Sequence, residues 1–294
     1  MQPDMIWIKE RDGTSSHALQ DSVRGTSKKI MPNSGDAEST GETNYITSFD
    51  SDGFSIGANN GINQDGILNV AWCWKESATA GFDILTYTGN ATNRTISHSL
   101  SAVPNWILCK RLSNSADWTT STTDVNWENS LFLNQTNAAG DAPTTWNDTD
   151  PTSSVFTLGT TSLVNANGDN FIAYLWSNIQ GFSKFGSYTG NGNADGAFIY
   201  LGFRPAWFLC KNIQDNGDNW ILHDNKRDTF NVTDNGLAPN DSAAEFTDVD
   251  MDFLSNGVKM RNNTGRANSA KSFIYMAFAE APFVNSNGVP CNAR

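Results

Sequence analysis

The sequence predicts an all-β protein of three tandem antiparallel β-sandwich repeats, jelly-roll or lectin-like, of about a hundred residues each. Composition is the first reason, because only 17% of the 294 residues are charged, against about 25% in an average domain. Asn, Ser, Thr, Gly and Asp take their place, and these residues favour turns and weaken helices. The second reason is an internal repeat, and the third is a series of short apolar runs between polar turns.

Two independent sets of aligned segments mark the internal repeat. In the first set, a run that begins with proline and ends with lysine recurs every 101 residues, at 3–9, 104–110 and 205–211. In the second set, an apolar run reaches its last aromatic residue every 102 residues, at Trp74, Trp176 and Phe278. The repeat therefore predicts that Lys9, Lys110 and Lys211 lie on equivalent strands.

These offsets divide the chain into three copies of the repeat and a tail. The first, second and third copies span residues 1–81, 82–181 and 182–284, and the tail spans 285–294. A Tyr-Thr-Gly-Asn segment occurs in the second and third copies only, at 87–90 and 188–191. The first copy therefore lacks its first hairpin, and its open strand edge is expected to be covered by the tail, a neighbouring subunit or upstream sequence.

Short strands account for most of each copy. In the second copy, the apolar or alternating runs that predict strands lie at 84–88, 106–110, 130–134, 155–158 and 171–176. Asn-Gly pairs between such runs suit turns that need a positive φ. A short helix is the one alternative, at 16–23, where the apolar residues are weakly periodic.

Charge and hydropathy exclude two classes of partner. The formal net charge is −12, which repels phosphate backbones, so nucleic acid is not an expected partner. No apolar run approaches the roughly 20 residues that span a bilayer, so no membrane insertion is expected. Of the four cysteines, Cys109 and Cys210 lie inside strand-like runs and are expected to be buried free thiols.

Specific segments run through nearly the whole chain: W-I-K-E-R-D (7–12), H-A-L-Q-D-S-V-R-G (17–25), F-D-S-D-G-F-S-I-G (49–57), V-A-W-C-W-K (70–75), G-F-S-K-F-G-S-Y-T-G-N-G (181–192), D-N-K-R-D (224–228) and F-L-S-N-G-V-K-M-R (253–261). As a set they resemble an uncharacterised repeat domain common in tail-fibre and other structural proteins of marine bacteriophages. The resemblance implies a virion or extracellular location, other virion proteins as partners, and a homo-oligomer such as a trimer. It supplies no catalytic residues.

Catalysis is not expected from the residues themselves. The three histidines lack an aligned nucleophile, so a catalytic triad is not predicted. Asp224, Asp228, Glu245 and Asp248 crowd one region and could pair for glycoside hydrolysis, but a solvated acidic face is the simpler interpretation. Asp248, Asp250 and Asp252 alternate and form a weak calcium candidate, and no other cofactor is expected.

Four tryptophans lie among polar residues and predict the binding site. Trp118, Trp127, Trp146 and Trp220 adjoin Asn, Asp, Ser and Thr, where a large ring is costly to expose without a partner. A sugar ring could stack on them, with Asn147 and Asp224 bonding its hydroxyls. The alternative is that the rings cap the edges of the sandwich.

The first functional hypothesis is a receptor-binding protein of the tail-fibre type that adheres to host cell-surface polysaccharide. The second is a purely structural virion protein, either a capsid decoration or a fibre shaft, without glycan binding. A polysaccharide depolymerase is the weaker third hypothesis.

Overall fold

A computed structural model describes residues 1–281, and in this range the chain is almost entirely strands and loops. The predicted all-β class is confirmed. The predicted tail, 285–294, lies outside the described residues.

The strands of the first copy are β1 (Met5–Glu10), β2 (Ala18–Asp21), β3 (Lys28–Lys29), β4 (Ser39–Thr40), β5 (Ile46–Asp50), β6 (Gly53–Ile56) and β7 (Asn69–Trp74), with the one-turn helix α1 (Asn60–Asn63) before β7. Strand β2 replaces the short helix predicted at 16–23, because Leu19 pairs across to both Trp7 and Ile30. Pairing within the sheet outweighs the weak helical periodicity.

The second copy contains β8 (Phe82–Thr88), β9 (Arg94–Ser97), β10 (Trp106–Arg111), β11 (Thr119–Thr122), β12 (Asn129–Phe132), β13 (Gly140–Asp141), α2 (Pro143–Trp146), β14 (Val155–Leu158), α3 (Ser162–Asn165) and β15 (Asn170–Trp176). The third copy contains β16 (Ser183–Thr189), β17 (Phe198–Tyr200), β18 (Pro205–Asn212), β19 (Ile221–Asp224), β20 (Met251–Leu254), β21 (Gly257–Met260) and β22 (Ser272–Ala279).

The same pairing recurs around the strand that carries the repeated lysine. Lys9, Lys110 and Lys211 lie on β1, β10 and β18, and each of these strands is central in its sheet. Each pairs antiparallel with the next strand of the copy, which is β2, β11 or β19, and with the last strand, which is β7, β15 or β22.

The copies differ on the outer side of the last strand. In the second and third copies this strand pairs with one more, as β15 pairs with β8 and β22 pairs with β16. Each of these copies also has a second, smaller sheet, β14 with β9 in the second copy and β21 with β17 and β20 in the third. Buried residues of the larger and the smaller sheet share one hydrophobic cluster in each copy. In the first copy, β7 ends its sheet and β6 pairs only with β5, within the described residues.

The hydrophobic cores of the second and third copies are also larger than the cluster in the first copy. The cores of the second and third copies are large clusters in which Trp127, Phe156 and Phe171, or Phe208, Phe253 and Tyr275, are buried. In the described part of the first copy the cluster consists of Ile6, Ile8, Ala18, Ile46 and Ile62, with Tyr45, Phe49 and Phe54 only partly buried.

The chain divides into two compact units. One unit contains Met1–Gln135, Gly140–Trp176 and Pro239–Ala244, and therefore holds most of the first two copies. The other contains Thr136–Ala139, Ser177–Ala238 and the described residues from 245 onward. The repeat boundaries at 81 and 181 stay a prediction. Each unit includes one short segment whose neighbours in sequence belong to the other unit, and we call 136–139 and 239–244 the exchanged segments.

Each exchanged segment is bonded by a buried side chain of the unit that receives it. Lys211 donates from Nζ to the Thr136 carbonyl at 3.4 Å, and a ring nitrogen of His17 lies 3.0 Å from the Asp241 carbonyl. Within the first unit, Lys110 donates to the Gly35 carbonyl at 3.1 Å in the manner of Lys211. Burial lowers the pKa of Lys110 and Lys211 to about 8, so the carbonyls stabilise a costly buried charge.

Candidate functional site

The four tryptophans that predicted a glycan site all lie in the core. Trp118, Trp146 and Trp220 are at most 1% exposed, and Trp127 is 4% exposed. The indole of Trp118 donates to the backbone carbonyls of Met31 and Ser34, at 2.9 and 3.1 Å. A buried ring offers no face to a ligand, so stacking of a sugar on these rings does not fit the structure, and their role here is packing.

Two of these rings pack on each other. Trp127 and Trp146 meet edge to face, with ring centroids 5.8 Å apart, and the Trp146 indole donates to Ser130 Oγ at 2.9 Å. The polar neighbours that made these rings look exposed in the sequence supply the hydrogen-bond acceptors that an indole needs inside a protein.

The two polar residues predicted beside the rings differ in burial and in their contacts. Asn147 is half-buried, has a φ of 54° and ends α2. Asp224 is 3% exposed and accepts the Arg227 guanidinium through Oδ2 at 2.6 Å. Asp224 is therefore a structural anchor.

The carboxylates that suggested glycoside hydrolysis are bound to other side chains. Arg227 also donates to Glu245 Oε1 at 3.0 Å, so Asp224 and Glu245 share one buried guanidinium. Asp228 accepts the backbone N–H of Asn235 at 2.9 Å. This arrangement holds the carboxylates in ion pairs and turns and does not present two of them across an open cleft.

Two of the three carboxylates of the calcium candidate form ion pairs with arginines. Asp248 forms an ion pair with Arg266, and Asp252 with Arg261. Burial and the nearby Asp234 and Asp248 carboxylates raise the pKa of Asp250. Residues 1–281 contain no group of three or more His, Cys, Asp or Glu side chains arranged to hold a metal ion.

The two thiols expected to be buried are confirmed as free and buried. Burial raises the pKa of both Cys109 and Cys210 to about 12, which keeps them protonated and unreactive at neutral pH. The Tyr87 hydroxyl lies 3.8 Å from Cys109 Sγ.

Exposed aromatic rings occur where the sequence analysis did not place them, on strand β17. Phe198 is 46% exposed and Tyr200 is 61% exposed, whereas Ile199 between them is 4% exposed. Residues two apart in a strand share a face, so both rings stand on the solvent side. Among the strands of residues 1–281, β17 lies at the edge of its sheet, because it pairs with β21 alone. We call Phe198 and Tyr200 the β17 aromatic pair.

A cavity of about 550 Å³ adjoins Tyr200. Its lining includes Asn178, Gln180, Ser183, Lys184 and the ring of Tyr200. The Lys184 ammonium donates to the Tyr200 carbonyl at 2.7 Å and lies 5.2 Å from the centre of the Tyr200 ring. The cavity thus combines an exposed ring, amide and hydroxyl groups and the Lys184 ammonium. The protein as a whole has a net charge of −12.

The signal for this site was the alternation of Phe198, Ile199 and Tyr200. The run of three is too short to stand out as a strand, and its register depends on the partner Val258, about sixty residues away in sequence. Neither the number of tryptophans nor their polar neighbours in sequence predicts whether a ring is exposed.

Among residues 1–281, the structure contains no helix with the length and hydropathy needed to cross a membrane.

Comparison with known proteins identifies a family and no individual relative. No curated protein and no solved structure matches the chain. A family model described as "Domain of unknown function (DUF7483)" matches residues 1–282, and the chain therefore belongs to that family.

Proposed function

We propose that the chain is a non-catalytic adhesion module of three β-sandwich repeats on a virion surface, of the tail-fibre type, which binds host cell-surface polysaccharide at the β17 aromatic pair. The observation that carries the proposal is the exposure of Tyr200, at 61%, beside a cavity lined by amides and Lys184. Large rings are costly to leave in water, and sugars offer them an apolar C–H face.

The chemistry of the site favours a neutral or acidic sugar. The Tyr200 ring supplies stacking, Asn178 and Gln180 supply amides for hydroxyl groups, and Lys184 supplies a positive charge for a carboxylate. A shallow single site of this kind gives millimolar affinity, on the order of 4 kcal/mol. Display on a homo-oligomer, such as a trimer, raises the strength of attachment through multivalency.

The experiment compares wild type with Tyr200→Ala and Phe198→Ala, each displayed on beads, in glycan-array and whole-cell binding. We expect Tyr200→Ala to lower binding at least tenfold and Phe198→Ala to lower it less, because only Tyr200 lines the cavity. Lys184→Gln should weaken binding of acidic glycans and leave neutral glycans bound.

Phe230→Ala is the matched control, because Phe230 is an aromatic residue that is 83% exposed and lies outside this cavity. It should bind like wild type. If Tyr200→Ala and Phe230→Ala both bind like wild type, the β17 aromatic pair is not the glycan site.

A purely structural virion protein is the second candidate, and the open edge of β7 favours it. An unpaired strand edge invites pairing with another chain, which a decoration or shaft protein would use for assembly. A depolymerase has no comparable support, since Asp224 and Glu245 are tied to Arg227. Release of reducing ends from a polysaccharide would revive it.

A further inference from the structure

The second copy shows how a hairpin completes one repeat. Strand β8 of the hairpin pairs with β15 on one side, and strand β9 pairs with β14 on the other. The hairpin thereby covers Leu158 and Leu175, both 0% exposed. In the third copy, β16 and β17 pair with β22 and β21 in the same way.

One asparagine clamps the Tyr-Thr-Gly-Asn turn of this hairpin. Asn165 Oδ1 accepts the backbone N–H of Asn90 at 2.9 Å, while its Nδ2 donates to the carbonyls of Thr92 and Gly159, at 2.8 and 2.7 Å. The Asn165 backbone carbonyl accepts the N–H of Ala91 at 2.8 Å. Asn165 is completely buried by these contacts.

The third copy repeats the clamp with Asn268. Its Oδ1 accepts the N–H of Asn191 at 3.1 Å, and its Nδ2 donates to the carbonyls of Asn193 and Asn262, at 2.8 and 2.7 Å. Two independent occurrences in one chain make the asparagine a feature of hairpin binding.

The first copy has the clamp residue without a hairpin. Asn63 ends helix α1 as Asn165 ends α3, and its Nδ2 donates to the Gly57 carbonyl at 2.9 Å, which corresponds to the bond from Asn165 to Gly159. The Asn63 side chain is exposed, and no donor within the described chain reaches its Oδ1. The bond from Asn63 Nδ2 to its own copy is therefore formed, and the side chain that would accept the turn N–H is exposed to solvent.

The apolar surface beside Asn63 is open in the same way. Ile56 on β6 is 40% exposed, although Leu158 and Met260 at the corresponding positions are 0% exposed. On β7, Ala71 and Cys73 are exposed, whereas their counterparts on β15 are buried. Both strands that a hairpin would pair with are thus present and uncovered within the described residues.

The turn of a bound hairpin needs a glycine where it approaches the backbone of the copy that receives it. A Cβ on Gly89 would collide with the backbone oxygen of Ala166, and a Cβ on Gly190 with that of Ser269. The tyrosine two residues earlier donates its hydroxyl to a helix carbonyl, as Tyr87 does to Val164 at 2.8 Å. The first copy offers the carbonyl of Ile62 at that position.

One residue of the first copy departs from the pattern. Asn69 stands where Phe171 stacks on Tyr87, with ring centroids 5.2 Å apart, in the second copy. A tyrosine bound to the first copy would meet an amide at this point, so its affinity should be lower than that of an intramolecular hairpin.

From these observations we propose that the first copy is a docking site for a β-hairpin of another polypeptide chain, which carries Tyr-Thr-Gly-Asn and pairs with β7 and β6. Both hairpins of this kind within the described residues already serve their own copies. The bound hairpin would extend the β7 sheet, bury Ile56 and place its turn on Asn63.

The probe is a fluorescent synthetic peptide with the sequence of residues 82–97, added to the full chain. We expect saturable one-to-one binding by fluorescence anisotropy, together with slower amide hydrogen exchange in 69–74. A peptide with alanine at the turn glycine should bind at least tenfold more weakly, and this comparison leaves the protein unchanged. Exchange at 170–176 should not change, because the peptide adds to the first copy and does not displace β8.

The protein variant is Asn63→Ala, with Gln64→Ala as the exposed neighbouring control. We expect Asn63→Ala to weaken peptide binding about tenfold or more and Gln64→Ala to leave it unchanged. No binding, equal binding of both peptides, or unchanged binding by Asn63→Ala would each overturn the proposal.

Two other occupants give distinct results that also overturn it. If exchange at 69–74 is already slow in the free monomer and becomes fast after deletion of 282–294, the tail covers this edge. If protection of 69–74 appears only as the chain dimerises with rising concentration, a second copy of the chain is the occupant.

Discussion

The first and second sequence copies share a strand framework but are held together by different contacts. The second copy buries Trp127, Trp146 and Phe156 between its sheets. The first copy has a small aliphatic cluster and a buried Trp7–Trp72 pair, and it also buries Arg24, which donates from Nε to Asp21 at 2.7 Å and from Nη1 to Glu38 at 3.0 Å. The corresponding position of the second copy is Val125. A framework set by strand pairing can therefore be stabilised by apolar packing or by a buried ion network.

The largest expected effect comes from the ion network. Arg24→Ala removes the ion-pair partner of the buried Asp21 carboxylate and the nearer of the two cations that Glu38 contacts, and should lower the free energy of unfolding by about 3–5 kcal/mol. Val125→Ala, at the corresponding position, removes only part of an apolar side chain and should cost about 1–2 kcal/mol. Urea unfolding at pH 7 measures both. Equal costs would mean that the two copies are not held differently.

A second pair of variants probes the surface that the hairpin covers. Leu158→Ala in the second copy opens a cavity in a closed core and should cost about 2–5 kcal/mol. Ile56→Ala in the first copy changes a side chain that is 40% exposed and should cost less than about 1 kcal/mol. Thermal and urea unfolding of both variants decide this. A large cost for Ile56→Ala would indicate that its surface is buried in solution.

In the third copy, a buried histidine makes the free energy of unfolding depend on pH. His223 is 0% exposed, its two ring nitrogens have no hydrogen-bond partner, and burial, followed by the Arg227 charge, lowers its pKa to about 3. Between pH 6.5 and 3, His223 is protonated in the unfolded chain and neutral in the folded chain. The free energy of unfolding therefore falls as pH falls through this window. At pH 4.5 the loss is about 2–3 kcal/mol.

The matched variant is His223→Gln, because the first copy has Gln20 at this position, where it accepts the Ile46 N–H at 2.9 Å. Urea unfolding at pH 7 and pH 4.5 should show a smaller acid loss for the variant than for wild type. His17 and His98 are present in both proteins, so their contributions cancel. The same acid loss in both would show that His223 is protonated in the folded state.

Strands and buried thiols could be predicted because their signals are local. The apolar runs ending in Lys9, Lys110 and Lys211 specify a strand whatever it pairs with, and they lie on β1, β10 and β18. Burial of Cys109 followed from its place inside such a run.

Burial of the tryptophans could not be predicted from local sequence. Trp118 bonds to Met31, 87 residues earlier, and this partner makes a ring among polar neighbours suitable for the core. By contrast, the Asp-x-x-Arg spacing at 21–24 and 224–227 contains both partners of a buried ion pair within four residues. That spacing was an available signal for the structural role of Asp224.

The exchanged segments limit the ways in which this chain can be divided into fragments or lose or gain a copy of the repeat. A single break at 176/177 would separate 239–244 from the unit that contains His17, and would leave 136–139 on the wrong fragment for Lys211. Neither fragment would hold all the backbone that its own buried side chains bond. Although the sequence repeats with a period near 100 residues, one period is therefore not a transferable module. A duplication or deletion of one copy would have to supply a partner for each exchanged segment at the same time.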